Sequence, residues 1–337
     1  MRAIKYDKRL LALAAFFLAS IGLLANEHWY FNADANGVAV DGYDVVAMVA
    51  EGKALKGKPS IQASEQGLIY QFSTEDHRKA FQKEPQKYLP QYGGWCAFSC
   101  GVDSGKFGFG PARFKPDPES FLVSGGRLYL FARLPNYQAK TLWEGGDAEA
   151  LIGRANAYWA GRVAMGKAIG DLPEGMAPSA PMETAQFNPL IGKWTNTVRW
   201  MQNLKEKTYG PGIKGTWEFR YGWDGFGIDD NWKQVGIPGS GGPAHRFYDP
   251  TTKKWVMVYM PANQPRARIW SIEGEFDEKG ELTGQFEGKD PGGREFLGRI
   301  RFYDIKKDRF LWQHDRSYDG GKTWIEKVAV SESVRLG

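Results

Sequence analysis

The chain is poor in the residues that most catalytic and cofactor chemistry requires. Its 337 residues include two cysteines, Cys96 and Cys100, and four histidines, His28, His77, His245 and His314. It has no Gly-x-Ser-x-Gly elbow, no Gly-rich phosphate loop ending in Lys-Ser/Thr, no His-Glu-x-x-His and no Cys-x-x-Cys-His. These absences remove the serine-hydrolase, P-loop, zincin and c-type haem readings, and no catalytic residue is assigned. Charge of one sign is also lacking. The 44 Lys and Arg against 39 Asp and Glu leave a formal +5 with no concentrated basic run, which gives nucleic-acid binding no support.

Long apolar runs are missing except at the start. Met1–Arg9 is basic, and Leu10–Ala25 is an uncharged stretch of 16 residues. That is short of the ~20 residues a spanning helix needs, so residues 1–25 are expected to be a secretory signal peptide. Cleavage after Ala25 or Gly22 fits; Leu23 suits the first of these poorly, and an uncleaved inner-membrane anchor is the alternative. The expected location is the periplasm or the exterior, with no membrane contact beyond this segment. Losing residues 1–25 removes Arg2, Lys5, Lys8, Arg9 and Asp7, a net +3 of the formal +5, and leaves about +2.

The remaining length suits two domains. In 147–169, Leu151, Ala155, Tyr158, Trp159 and Val163 recur at helical spacing. The following Gly170-Asp-Leu-Pro-Glu-Gly-Met-Ala-Pro-Ser-Ala-Pro181 reads as a linker. Expected boundaries are 26–169 for a first domain, 170–186 for the linker and 187–337 for a second. After Phe187 alternation predicts about ten strands, near 193–201, 215–222, 226–236, 244–249, 254–260, 266–276, 281–288, 294–304, 308–317 and 323–334. Their turns include Asp249-Pro, Asp277-Glu-Lys-Gly, Asp290-Pro-Gly-Gly and Asp319-Gly-Gly. Consecutive hairpins of this kind predict an up-and-down antiparallel sheet, which closure into a barrel would relieve of exposed edges.

In the first domain, Gly37-Val-Ala-Val-Asp-Gly-Tyr43-Asp44, then Tyr70-Gln-Phe72-Ser73-Thr-Glu-Asp-His77, Phe81, Pro85, Tyr88, Gln91-Tyr-Gly-Gly-Trp-Cys96 and Gly125-Gly-Arg-Leu-Tyr129 occur in fixed order. This order resembles the YHS domain, a small α+β relative of the TRASH metal-binding modules, over about 125 residues. The family's metal-binding relatives carry Phe-Cys-Ser-x-x-Cys where this chain has Phe72-Ser73-Thr74-Glu75-Asp76-His77. Ser73 is expected to cap a helix instead, with Asp76 supporting the first turn and His77 exposed in it.

Cys96-Ala-Phe-Ser-Cys100 offers three outcomes: a disulfide, two cysteines that pack or cap independently, and a metal or redox-active pair. An even cysteine count in an exported chain favours a Cys96–Cys100 disulfide, although regular helix would place the Cα atoms about 6 Å apart, near the limit of reach. The metal outcome is a copper or zinc site of Cys96, Cys100 and His77.

In the second domain, Leu190-Ile-Gly192-Lys-Trp194 and the closing Ser317-Tyr-Asp319-Gly-Gly321-Lys-Thr-Trp324 resemble lipocalin-like (calycin) barrels. Trp194 is expected to plug one barrel end beneath a basic side chain such as Arg335. The Ser317–Trp324 stretch also fits the Asp-box of sialidase propellers. One copy in so short a domain reads as a hairpin device and implies no glycosidase. Nine of the thirteen tryptophans fall here. Phe310, Trp312, His314 and Arg316 share one strand face, and Arg266, Arg268 and Trp270 share another. If these faces point inward, Arg268, Trp270, Trp312, His314 and Arg316 would line a ligand cavity combining aromatic walls with cationic donors.

The expected function is an exported, non-enzymatic binding protein. Its barrel would hold a small apolar or amphipathic molecule, and its first module would dock a protein partner or a metal. A cavity enzyme of isomerase, cyclase or hydratase type, with His314 or His245 as acid or base, is the alternative.

Overall fold

The computed structural model describes residues 29–262, 270–290 and 292–337. The expected signal segment, His28, Arg266 and Arg268 lie outside the described residues. The chain divides into two compact units that meet between Leu172 and Pro173.

The first unit is built on two hairpins. Strands β1 (Lys58–Glu65) and β2 (Leu68–Phe72) pair antiparallel, as do β3 (Asp117–Ser124) and β4 (Arg127–Phe131). The β3–β4 turn uses Gly125 and Gly126, both at positive φ, where a side chain would strain the backbone. Alternation along β2 sends Leu68, Tyr70 and Phe72 inward onto Phe81 of helix α1 (Glu75–Lys83); the Tyr70 and Phe72 rings lie 5.0 and 5.1 Å from the Phe81 ring. Thr74, not Ser73, caps this helix, its hydroxyl accepting from the His77 amide at 3.1 Å.

A second core forms where the short helix α2 (Ala97–Gly101) meets the long helix α3 (Ala148–Ile169). Asp147 caps α3 by accepting from the Ala150 amide, and Leu151 and Ala155 of the expected stripe are buried. Gly101 permits the crossing, because a Cβ there would stand 2.4 Å from the Leu151 carbonyl oxygen.

The second unit is a closed antiparallel barrel of ten long strands. They are β5 (Gly192–Asn203), β6 (Ile213–Gly222), β7 (Gly227–Gln234), β8 (Gly242–Asp249), β9 (Lys254–Tyr259), β10 (Trp270–Phe276), β11 (Leu282–Lys289), β12 (Glu295–Tyr303), β13 (Arg309–Ser317) and β14 (Ile325–Arg335). Neighbours in sequence are neighbours in the sheet, and β14 returns to β5 from Ala329↔Trp200 to Arg335↔Trp194, closing the cylinder. The expected strands and up-and-down order are thus present. Period-two patterning decides this, since every strand has one apolar face to bury and closure leaves no long edge unpaired.

One end of the barrel is sealed as the Gly-x-Trp pattern implied. Trp194 is fully buried, donates its indole N–H to the Leu190 carbonyl at 2.8 Å, and lies under the Arg335 guanidinium at 4.0 Å. Arg335 also donates to the Ile191 and Pro189 carbonyls.

The stretch read as a linker is corrected in part. From Pro173 onward it belongs to the barrel unit, where Met176, Ala180, Met182, Phe187 and Leu190 are buried and Phe187 packs on Trp255 at 4.6 Å. Its prolines and glycines shape a packed cover; the apolar residues between them, too irregular to show a period, carry the burial energy.

Candidate functional site

The barrel interior holds a cavity of about 120 Å³ above the sealed end. Its floor and walls are the buried Val198, Trp217, Ala244, Met257, Ile272, Ile300 and Phe302, and its rim is the half-buried Trp200, Trp232, Tyr259, Trp270 and Trp312. Inward glycines make room for the aromatic packing around the cavity: a Cβ at Gly298, for example, would lie 2.4 Å from the Phe286 ring.

Two charged side chains break the apolar lining. Asp230 on β7 and Arg246 on β8 are both buried and form an ion pair, Arg246 Nε donating to Asp230 Oδ2 at 2.6 Å. Asp230 Oδ1 accepts the Trp217 indole N–H at 2.6 Å, so both carboxylate oxygens are engaged. The guanidinium is held among the Phe187, Phe219 and Phe302 rings at 5.3–5.7 Å, and Nη1 has only the Met257 sulfur, at 2.9 Å. Thioether sulfur is a weak acceptor, which leaves Arg246 donor capacity facing the cavity.

His314 occupies a cage. It is 1% exposed, with ring centroids of Phe286, Phe296, Trp200, Trp270 and Trp312 between 5.4 and 6.4 Å away. Neither ring nitrogen has a hydrogen-bond partner. Burial, with the Arg316 charge beside it, pulls the imidazole pKa down to about 3, so the ring is neutral at physiological pH. Along the seam where β14 closes on β5, Asn196 Nδ2, Ser331 Oγ and Ser333 Oγ are likewise buried without partners.

The structure therefore brings together Trp270 and Trp312 in the cavity wall and His314 behind it. Arg316 lies outside the lining, its guanidinium 4.6 Å from the Phe296 ring. The cation in the cavity is Arg246, which the sequence reading missed along with its partner Asp230. Asp229 and Asp230 both lie within β7, so alternation sends Asp230 inward and Asp229 outward to the exposed His245 at 2.8 Å. The available signal was the cross-strand match of Asp230 with Ala244 beside Arg246, which requires the register.

Ser317–Trp324 is the expected hairpin device. Asp319 accepts from the Thr323 amide and hydroxyl and from Ser317 Oγ, which holds its pKa down to about 2. Trp324 packs under Arg299 at 4.3 Å.

In the first unit, the expectations for Ser73 and His77 are corrected. Asp44 is fully buried and accepts from Ser73 N and Oγ at 2.7 Å, from His77 Nδ1 at 2.7 Å, and from the Val46 and Ala47 amides at 2.9 and 3.1 Å. Burial pushes its pKa up, but these donors outweigh it and the net shift is downward. His77 Nε2 contacts Glu51 at 3.0 Å, so this histidine bridges two carboxylates and is not a free first-turn side chain. Ser73 serves Asp44, not the helix.

The disulfide expectation is also corrected. Cys96 and Cys100 are free and fully buried, one helical turn apart, with the Cys100 amide donating to the Cys96 carbonyl at 3.1 Å. Cys96 is the non-helical residue that precedes α2 and pairs with Leu130 of β4 by a backbone bridge, whereas Cys100 Sγ turns to the Ala112 carbonyl at 3.8 Å. Burial and the neighbouring Cys96 raise the Cys100 thiol well above its usual range. His77 belongs to the Asp44 network and does not join the cysteines. Among the described residues no group of three or more His, Cys, Asp or Glu is arranged to hold a metal ion, and no helix is long and apolar enough to cross a membrane.

Compared with protein-family models and curated proteins, the chain matches none.

Proposed function

We propose that this protein is an exported binding protein whose barrel takes up a small apolar or amphipathic molecule through its aromatic rim. The observation that carries the reading is the cavity of about 120 Å³ walled by tryptophans around the buried Asp230–Arg246 pair. A cavity of about 150 Å³ lined by apolar side chains stays dry and holds benzene, so the space here suits one ring. Longer ligands would project past Trp200, Trp232 and Trp270.

A lipocalin-like role fits the sealed end, the open aromatic end and the up-and-down order, and the YHS-like order of residues in the first unit is in keeping with a docking module. Periplasmic or extracellular residence rests on the basic and apolar pattern of residues 1–25. Proton-transfer catalysis in the cavity has less support, because Asp230 is engaged through both oxygens and His314 has no carboxylate to raise its basicity.

Toluene uptake tests the reading. The wild-type protein should bind it, with a rise in Tm and a change in tryptophan emission. Ala244→Phe, which fills the cavity, should abolish both while retaining the circular dichroism of the barrel. Unchanged binding in that variant would place the site elsewhere.

A further inference from the structure

The charges inside the barrel bear on which ring-sized molecules it accepts, an argument that rests on the ligand-cavity reading above. Asp230 and Arg246 are the charged side chains in the lining, they are 3–4% exposed, and they neutralise each other at 2.6 Å. Arg316, on the same face of β13 as Trp312, is not part of the lining and sits against Phe296. His314 has five aromatic rings around it and no acidic partner. Among the described residues the cavity lining therefore contains a matched pair of charges and no other charged side chain.

An unmatched charge brought into such surroundings forfeits its hydration without compensation. A carboxylate on the same guanidinium would set two buried negative charges against one positive charge. A neutral oxygen meets no such barrier. Arg246 uses Nε for Asp230 and spends Nη1 on a thioether, so it can donate to a carbonyl, ether or phenol oxygen without giving up its partner.

We infer that the barrel selects uncharged, ring-sized molecules bearing an acceptor oxygen, which Arg246 binds while remaining paired with Asp230, and that it rejects carboxylates of the same shape. The ion pair acts as a charge filter, and Asp230 is its determinant.

Acetophenone and benzoate test the inference because they share a shape and differ in charge. Titrated calorimetrically into the full-length protein at pH 7, acetophenone should bind and benzoate should bind at least about 100-fold more weakly. Asp230→Asn keeps an acceptor for Trp217 but leaves Arg246 without its counter-charge. In that variant benzoate should gain at least about tenfold relative to acetophenone. If Asp230→Asn does not fold, the wild-type ratio decides alone. Benzoate binding as tightly as acetophenone would overturn the filter and leave the ligand cavity standing. Failure of both probes and of toluene would remove the cavity reading itself.

Discussion

Asp44 in the first unit and His314 in the barrel are both buried ionisable side chains, and their surroundings are opposite. Asp44 accepts five hydrogen bonds that tie the start of one helical turn to Ser73 and His77 across the hairpin. His314 receives none. Leaving a buried polar group unbonded costs about 1–3 kcal/mol, so a fold tolerates His314 only if something else depends on it. The comparison separates two uses of buried polarity. In the first unit it holds the backbone in place; in the barrel it is left available beside a cavity.

The largest effect that would break this contrast lies at Asp44. Asp44→Ala removes an acceptor for five donors and should cost about 5 kcal/mol, the upper range for breaking a buried charged network. Urea denaturation should show the loss, and hydrogen exchange should localise it to the Val46, Ala47 and Ser73 amides. A loss below 1 kcal/mol would mean that Asp44 is not the organising group.

Arg246→Met should cost about 3 kcal/mol by leaving Asp230 unpaired, and Asp230→Leu in the same chain should recover most of it. Recovery in the double variant, with acetophenone binding lost, would show that the pair serves recognition more than stability. If the double variant is no more stable than Arg246→Met, the pair is primarily structural.

His314→Phe should act in the opposite direction. The native ring takes up its proton only near pH 3, whereas in the unfolded chain it does so near 6.5. Between those values the unfolded state binds more protons, so stability is fully present above about pH 6.5 and is lost as pH falls toward 3. The phenylalanine variant lacks this limb. Its Tm should fall less than that of the wild type between pH 7 and 4, by the equivalent of a few kcal/mol. Identical acid profiles would show that the ring is not held neutral.

The smallest effect concerns the cysteines. Native protein should leave both thiols unmodified by an aromatic disulfide reagent, and unfolding should expose two. An intact mass two units low would restore the disulfide.

The barrel was legible in the sequence to a degree that the first unit was not. Each β-strand announces itself by period two and by Asp- and Gly-bearing turns, and Asp277 and Asp290 cap their turns as those side chains predict. Trp194 beneath Arg335 was implied by the resemblance of the Gly-x-Trp opening to lipocalin-like barrels. The Asp44 network was not readable, since its members are 29 and 33 residues apart and nothing local distinguishes Ser73 as a carboxylate donor from Ser73 as a helix cap. Asp230 and Arg246 were overlooked because a pair of adjacent acids looks the same in a turn and in a strand.

What the residues determined unaided is periodicity: ten half-buried strands and the buried stripe of the long helix, with Leu151 and Ala155 in it. Which faces those strands present, which buried charges meet, and which polar groups are left over were decided by closure of the sheet. Register depends on all ten strands together, and a shift of one residue would have turned His314 and Asp230 outward.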